Sequence, residues 1–301
     1  MNVKGSVKVM ARSVLSSRHS LKKSRAGVGQ IGLMYMFQGL QAVSPRLASL
    51  LAYYLWFHPG RQSVQRTHVF RPEGCQSFKL KIKTKTVHYW CAGNGPAVLL
   101  VHGWGSRGQQ LGKLGQALLK KGFKVVWFDA PAHGESSGWR TDLFEVSETI
   151  LKIQQQQGEF KALLAHSFGV PCSLYAVGKG LAVNKIIAIA TPATATGLIE
   201  KFCKIIRANQ ATCNWLVKRI DRFLGETTLD QIAAQSMALD IQQQCLVIHD
   251  RHDRMISYKE GFLVHENLSH SAFIETQHLG HNKVLYDQKV ISHCEQFISQ
   301  Q

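Results

Sequence analysis

The sequence is poor in acidic residues: 19 Asp and Glu stand against 36 Lys and Arg in 301 residues, and the formal net charge is +17. Such an excess raises nucleic acid or an anionic membrane as a partner. No acidic residue precedes Glu73, whereas eleven basic residues do. Because the remainder has a nearly ordinary charge balance and no aromatic residues interleaved with basic ones, we predict that the protein does not bind nucleic acid.

Cysteine pairs and long apolar runs are also lacking. The seven cysteines include no C-x-x-C pair, which argues against a zinc site and against a secreted disulfide scaffold. We therefore expect reduced thiols, no metal site, and a cytoplasmic protein that is at most peripheral at a membrane. Ala26 to Pro45 is uncharged but interrupted by three glutamines, whereas a spanning helix needs about 20 mainly apolar residues.

The N-terminus divides into a basic segment and a helix. Residues 1–43 predict a basic, partly disordered extension. Its first 27 residues resemble a targeting presequence, unless the true start lies near Met34 or Met36. Ser44 and Pro45 are typical of a helix start, and His58-Pro59-Gly60 ends the helix. Five large apolar side chains fall on one face: Leu47, Leu50, Leu51, Tyr54 and Leu55. This face packs on the protein body or lies on an anionic membrane, to which the extension would add weak attraction.

The body of the chain, residues 44–301, predicts one α/β domain. Residues 78–82 and 87–91 alternate apolar and polar side chains, which indicates an antiparallel hairpin. Six short apolar runs follow, separated by helical patterns: Ala97-Val101, Lys124-Phe128, Phe160-Ala165, Lys185-Ala190, Cys245-His249 and Ala272-Glu275. Such runs are typical of strands buried on both faces, so we predict a doubly wound, mostly parallel sheet flanked by helices. Residues 195–242 contain helical patterns without a strand and predict a small helical lid.

A candidate nucleophile lies in Ala165-His166-Ser167-Phe168-Gly169, which follows an apolar run and opens a helical pattern. A serine in a sharp strand-to-helix turn needs small neighbours, as it has here. The turn Val101-His102-Gly103-Trp104 ends the first buried strand. We expect the backbone N–H groups of Trp104 and Phe168 to face a developing oxyanion, and His102, Gly103 and His166 to lie against the substrate.

The order of residues along the chain indicates which histidine and which aspartate would act with Ser167. His281 is the histidine that lies after the last strand beside a glycine, which makes it the candidate base. Asp253 and Asp250 both follow a strand, and either could orient that imidazole; Asp253 is preferred because it lies further along the loop. Asp129 precedes the serine and is expected to hold backbone N–H groups of its own loop instead.

The order of these motifs resembles the α/β-hydrolase fold superfamily from about Phe78 to Phe297, and its small bacterial esterase-like members in particular. The motifs are H-G-W-G-S, D-x-P-x-H-G-x-S, A-H-S-F-G, H-D-x-x-D-x-x-I and G-H. The resemblance implies that Ser167 is the nucleophile, Asp253 the acid and His281 the base. Ala165 and Asp250 depart from the family pattern, since glycine is usual at both positions, but neither removes a catalytic group.

The implied activity is cleavage of a carboxylic ester or thioester. The expected substrate is a small or lipid-like apolar acyl compound, cleaved through an acyl-enzyme and without a cofactor. Acyl transfer to an alcohol or thiol uses the same groups and remains an alternative. A receptor-like protein that retains the fold and turns over little substrate is a further one.

Overall fold

The computed structural model describes residues 32, 35–60 and 70–300. The chain divides into two compact units. The N-terminal unit combines Met1–Tyr53 with Ile199–Arg219, and the sheet unit combines Tyr54–Leu198 with Ile220–Gln301. The greater part of the predicted basic extension lies outside the described residues, and the assignment of 44–301 to one domain stays a prediction.

The sheet unit contains one eight-stranded sheet. Its strands are β1 Gln76–Ile82, β2 Lys85–Ala92, β3 Ala97–Val101, β4 Lys124–Phe128, β5 Phe160–His166, β6 Val183–Ile189, β7 Gln244–Asp250 and β8 Ser271–Thr276. They are ordered β1-β2-β4-β3-β5-β6-β7-β8. The pairs β1 with β2 and β2 with β4 are antiparallel, and every later pair is parallel. The predicted parallel sheet with an N-terminal hairpin is confirmed.

Burial explains why the sequence pattern revealed these strands. All five residues of β3 are buried, as a strand covered on both faces requires. In β1 the apolar Leu80 and Ile82 are buried, whereas the alternating Lys79 and Lys81 are exposed. The lysines therefore form the solvated face of the hairpin, as the alternation predicts.

Among the described residues, one α-helix with defined bounds precedes the strands and nine connect or follow them. They are α1 Pro45–Trp56, α2 Gly112–Lys120, α3 Leu143–Gln157, α4 Gly169–Gly178, α5 Ala195–Ile205, α6 Gln210–Leu224, α7 Ala234–Ala238, α8 Tyr258–Asn267, α9 Gly280–Lys283 and α10 Gln288–Ser299. Residues 35–43 are also helical. Helices α2 and α10 contribute to one apolar core with the sheet, while α3, α4, α7 and α8 pack in sequence as a second layer. The sheet is thus wound on both sides.

The C-terminal residues 283–300 do not form a single helix. The chain forms the short helix α9, then a 3₁₀ turn at Val284–Tyr286, and begins α10 only at Gln288. Asp287 separates them because its extended backbone interrupts the helix, and its carboxylate accepts hydrogen bonds from the N–H groups of Lys289 and Val290. These bonds cap the new helix.

Helix α1 begins at Pro45 as predicted, and three of the five large apolar side chains on its predicted face are exposed. Leu47, Leu50 and Tyr54 are 55%, 47% and 56% exposed. The buried positions are instead the small residues Ala48, Ser49 and Ala52, because small side chains let a helix backbone approach its neighbours closely.

The interval 195–242, all of it described, contains helices α5, α6 and α7 and no strand. The predicted helices are confirmed, and their action as a lid stays a prediction. Among the residues that the structure describes, no helix is both long and apolar enough to cross a bilayer. All seven cysteines are free thiols.

Candidate active site

The turn that carries Ser167 joins the end of β5 to the start of α4. Ser167 has a positive φ of 54°, a strained conformation for a residue with a side chain. Its N–H donates to the carbonyl oxygen of Ile189 on the neighbouring strand at 2.9 Å, and its own carbonyl accepts from Val170 N–H at 2.9 Å. Backbone bonds on both sides thus fix the direction in which the hydroxyl projects.

Two glycines let the neighbouring loop approach this turn. A Cβ atom on Gly103 would lie 3.0 Å from the Cβ of Ser167, and one on Gly169 would lie 2.7 Å from the carbonyl oxygen of His102. Larger residues at either position would separate the loop after β3 from the serine turn. Ala165 is buried within β5, so its methyl group is accommodated where the family usually has glycine.

The structure brings Ser167, His281 and Asp253 together. His281 Nε2 lies 3.0 Å from Ser167 Oγ, and His281 Nδ1 lies 2.7 Å from Asp253 Oδ2. The Asp253 side chain is fully buried and that of His281 is 8% exposed, whereas Ser167 is partly exposed. With the Nδ1 proton donated to Asp253, the Nε2 atom is left to accept the serine proton.

Asp253 is held in place by more than His281. Its Oδ1 atom accepts from the N–H groups of Met255 and Ile256 at 2.7 and 3.0 Å. A second imidazole, that of His249, places Nε2 3.5 Å from Asp253 Oδ2. Burial alone would raise the pKa of the Asp253 carboxyl, but its hydrogen bonds to His249, His281 and Ile256 outweigh burial and lower the pKa.

Asp250 does not contact His281 and instead binds the loop that carries it. Its Oδ2 atom accepts from Thr276 Oγ1 at 2.9 Å and from Leu279 N–H at 3.0 Å, and Oδ1 accepts from His252 N–H at 2.9 Å. Burial opposes ionisation of this carboxyl, but these donors hold its pKa below the usual value. The preference for Asp253 as the partner of His281 therefore agrees with the distances.

His102 orients the loop after β3. Its Nε2 accepts from Ala130 N–H at 2.9 Å, and its Nδ1–H donates to the carbonyl of Gly103 at 2.8 Å. Since the N–H and C=O of a trans peptide point in opposite directions, the second bond directs the N–H of Trp104 away from the His102 ring. Among the described residues, neither Trp104 N–H nor Phe168 N–H donates a hydrogen bond.

The loop after β4 supports the same region. His133 Nε2 accepts from Gly105 N–H at 3.0 Å, and its Nδ1–H donates to Pro131 O at 3.0 Å. Asp129 accepts from the N–H groups of Gly108 and Glu135, both at 2.8 Å. The expectation that Asp129 holds loop amides is confirmed, whereas the positioning role of His133 was missed because it depends on an approach between distant loops.

The residues predicted to lie against substrate are all buried. The ring of His102 contacts backbone as described, Gly103 faces Ser167, and His166 places Nε2 2.9 Å from the carbonyl oxygen of His281. These contacts orient the serine turn and the histidine loop, and a substrate contact for them stays a prediction. The sequence analysis also did not predict the contact between His249 and Asp253. The one sign of it in the sequence is that His249 is a polar residue within the buried apolar run of β7.

Comparison with known proteins agrees with this architecture. A family model described as alpha/beta hydrolase fold matches residues 96–236. Solved structures also match, 1181 chains in all, and those described below cover 74% to 95% of this chain. The chain has the α/β-hydrolase fold. The fold predicted from the sequence is confirmed.

Three of these α/β-hydrolase structures show how far the likeness extends. An esterase from Exiguobacterium antarcticum is 16% identical over 75% of this chain and 100% of its own, with a TM-score of 0.58. An esterase from Pyrococcus furiosus is 17% identical over 74% and 91%, with a TM-score of 0.58. A bacterial membrane phospholipase A is 13% identical over 95% and 98%, with a TM-score of 0.58. A search of curated protein sequences finds no match for this chain.

The buried histidines predict acid sensitivity of the fold. Burial, chiefly, lowers the pKa of His102 to about 4 and those of His133 and His166 to about 3. In the unfolded chain these residues titrate near 6.5, so below that pH the unfolded state binds more protons. The free energy of unfolding, measured with urea, should fall steadily from about pH 6.5 towards pH 4, with uptake of about three protons.

A matched variant isolates one of these protons. His133→Gln retains an acceptor for Gly105 N–H but cannot be protonated, so its pH dependence should be shallower by about one proton. An unfolding free energy that is flat between about pH 6.5 and 4 in the wild-type protein would contradict this account.

Proposed function

We propose that the protein is a serine hydrolase that cleaves carboxylic ester or thioester bonds of an apolar acyl substrate. The observation that carries the proposal is the continuous chain of hydrogen bonds from Ser167 Oγ through the His281 ring to Asp253, at 3.0 and 2.7 Å. A serine within reach of an imidazole whose other nitrogen binds a buried carboxylate is the arrangement that activates an alcohol as a nucleophile.

The reaction proceeds through two tetrahedral intermediates. Ser167 Oγ attacks the carbonyl carbon while His281 Nε2 takes the hydroxyl proton, and Asp253 stabilises the imidazolium that forms. The backbone N–H groups of Trp104 and Phe168 donate to the oxyanion. His281 then protonates the leaving alcohol or thiol, and a water molecule, deprotonated by the same ring, releases the acid from the acyl-enzyme.

Support for an apolar acyl group comes from the side chains beside these amides. The rings of Trp104 and Phe168 meet edge to face with their centroids 5.1 Å apart, and Trp104 is exposed. Aromatic surface next to the serine favours an apolar substrate over a charged one. Esterases and a thioesterase domain among the structurally similar proteins support the same bond types.

Removal of the nucleophile gives the first test. Ser167→Ala should lower kcat for a short p-nitrophenyl ester by at least about a thousandfold, because no other group can form the acyl-enzyme. Ser77→Ala, at an exposed position of β1, is the matched control and should retain wild-type kcat. Equal rates for Ser167→Ala and wild type would refute the proposal.

Variants of the two aspartates distinguish a residue that orients the His281 imidazole from one that supports the loop before His281. Asp253→Asn should lower kcat by about a thousandfold or more, since the amide no longer holds the Nδ1–H tautomer. Asp250→Asn should have a smaller effect on kcat and should mainly lower the free energy of unfolding, because Asp250 binds the backbone before His281. A larger loss of kcat in Asp250→Asn would reverse the two roles. Ester hydrolysis and urea unfolding, measured on both variants, provide the comparison.

A further inference from the structure

The described residues of the N-terminal unit carry an excess of positive charge. They contain one acidic residue, Glu200, and six basic residues: Arg46, Lys201, Lys204, Arg207, Lys218 and Arg219. Five of the basic residues lie in 199–219, far along the sequence from Arg46. The fold thus brings basic residues of two distant segments into one compact unit.

An exposed apolar stripe runs along the helical part of this unit. It consists of Met36, Val43, Leu47 and Leu50, of which Met36 is 57% and Val43 86% exposed. Successive spacings of seven, four and three residues place all four on one side of a helix. Ser44 joins residues 35–43 to α1: its N–H donates to the carbonyl of Leu40 and its carbonyl accepts from Ala48 N–H, so hydrogen bonds with helical spacing span the junction.

The opposite side of the same helix is buried. Phe37, Ala48 and Ala52 are at most 1% exposed, and at 100° per residue they lie well away from the stripe. Phe37, Ala48 and Ala52 therefore anchor the helix, whereas the large apolar side chains of the stripe face outward. In a helix whose apolar stripe forms part of a core, such side chains are buried.

Arginines line one edge of the apolar stripe. The guanidinium carbon of Arg207 lies 5.5 Å from the ring centroid of Tyr35, and that of Arg219 lies 5.1 Å from the ring centroid of Tyr53. Tyr35, Arg46 and Tyr53 are separated by eleven and seven residues, which places them on the same side of the helix. Arg46, Arg207 and Arg219 therefore follow one edge.

The position of Arg207 is fixed by the backbone around it. Gln41 Nε2 donates to the carbonyl of Arg207 at 3.1 Å, and Asn209 N–H donates to Gln41 Oε1 at 2.8 Å. These bonds attach the turn between α5 and α6 to the helix that carries the stripe. The charged edge is thus a built feature of the N-terminal unit.

We propose that the N-terminal unit docks the protein on the surface of an anionic lipid bilayer. The apolar stripe enters the boundary between headgroups and acyl chains, and the arginines along its edge bind lipid phosphates. A second copy of the chain is a poorer occupant, because two such units would bring like charges together. Nucleic acid is also poorer, because phosphate backbones offer no apolar surface to cover the stripe.

Co-sedimentation of the full-length chain with vesicles tests the proposal. Binding to phosphatidylcholine vesicles that contain about one third phosphatidylglycerol should exceed binding to pure phosphatidylcholine by at least about tenfold, and high salt should weaken it. Equal binding to both vesicles, or none to either, would overturn the proposal. Ser167→Ala should bind as wild type does, so the result is independent of the proposed reaction.

Paired variants locate the surface. Leu47→Asp combined with Leu50→Asp should reduce vesicle binding by at least about tenfold, whereas Leu239→Asp, at a 61% exposed site of the sheet unit, should not. Circular dichroism and urea unfolding check that each variant is folded. Arg207→Glu with Arg219→Glu should reduce binding to anionic vesicles alone.

Two other outcomes would assign the surface to a different occupant and overturn the proposal. One is a dimer by light scattering that Leu47→Asp with Leu50→Asp dissociates. The other is tighter binding to an oligonucleotide than to anionic vesicles. Undiminished vesicle binding by the double leucine variant would equally contradict docking through the stripe.

Discussion

The hydrogen bond between Ser167 Oγ and His281 Nε2 joins two residues that are 114 positions apart in the chain. A single hydrogen bond of this kind stabilises a structure only modestly. The backbone around Ser167 and around His281 therefore has to fix the distance between the two side chains. At one end, the strained serine turn is held between β6 and the glycine loop after β3. At the other, Asp253 orients the ring, Asp250 binds the preceding loop, and His166 holds the carbonyl of His281 itself.

Neutral histidines supply much of this support. His102 and His133 each use one ring nitrogen to accept a backbone proton and the other to donate one. An imidazole can do both only when it is uncharged, and burial keeps it so by lowering the pKa of each ring. The geometry of the loops beside Ser167 is therefore coupled to the protonation state of side chains that take no part in the proposed reaction.

Most of the fold can be predicted from the sequence, because strands buried on both faces are continuous apolar runs. The positions of Ser167, Asp253 and His281, each after a predicted strand, also predict that they lie at the carboxyl edge of the sheet. The sequence distinguishes Asp253 from Asp250 only weakly as the partner of His281. The distinction depends on which carboxylate the folded loop places beside the imidazole. The sequence leaves open whether the leucine face of α1 is covered, because hydrophobicity identifies the leucines but not the small residues Ala48 and Ala52 on which the helix packs. Likewise, the approach of Arg207 to Tyr35 and of Arg219 to Tyr53 depends on a tertiary contact between segments that are distant in the sequence.

Covalent labelling tests the central claim most directly. A fluorophosphonate reacts efficiently with a serine only when a neighbouring base activates the hydroxyl and nearby backbone N–H groups donate hydrogen bonds to the oxyanion that forms. Mass spectrometry of the labelled, digested protein should find one stoichiometric adduct on Ser167, with no adduct when His281 is replaced by Ala. A protein that remains unlabelled while fully folded, or that is labelled equally well without His281, would contradict the account.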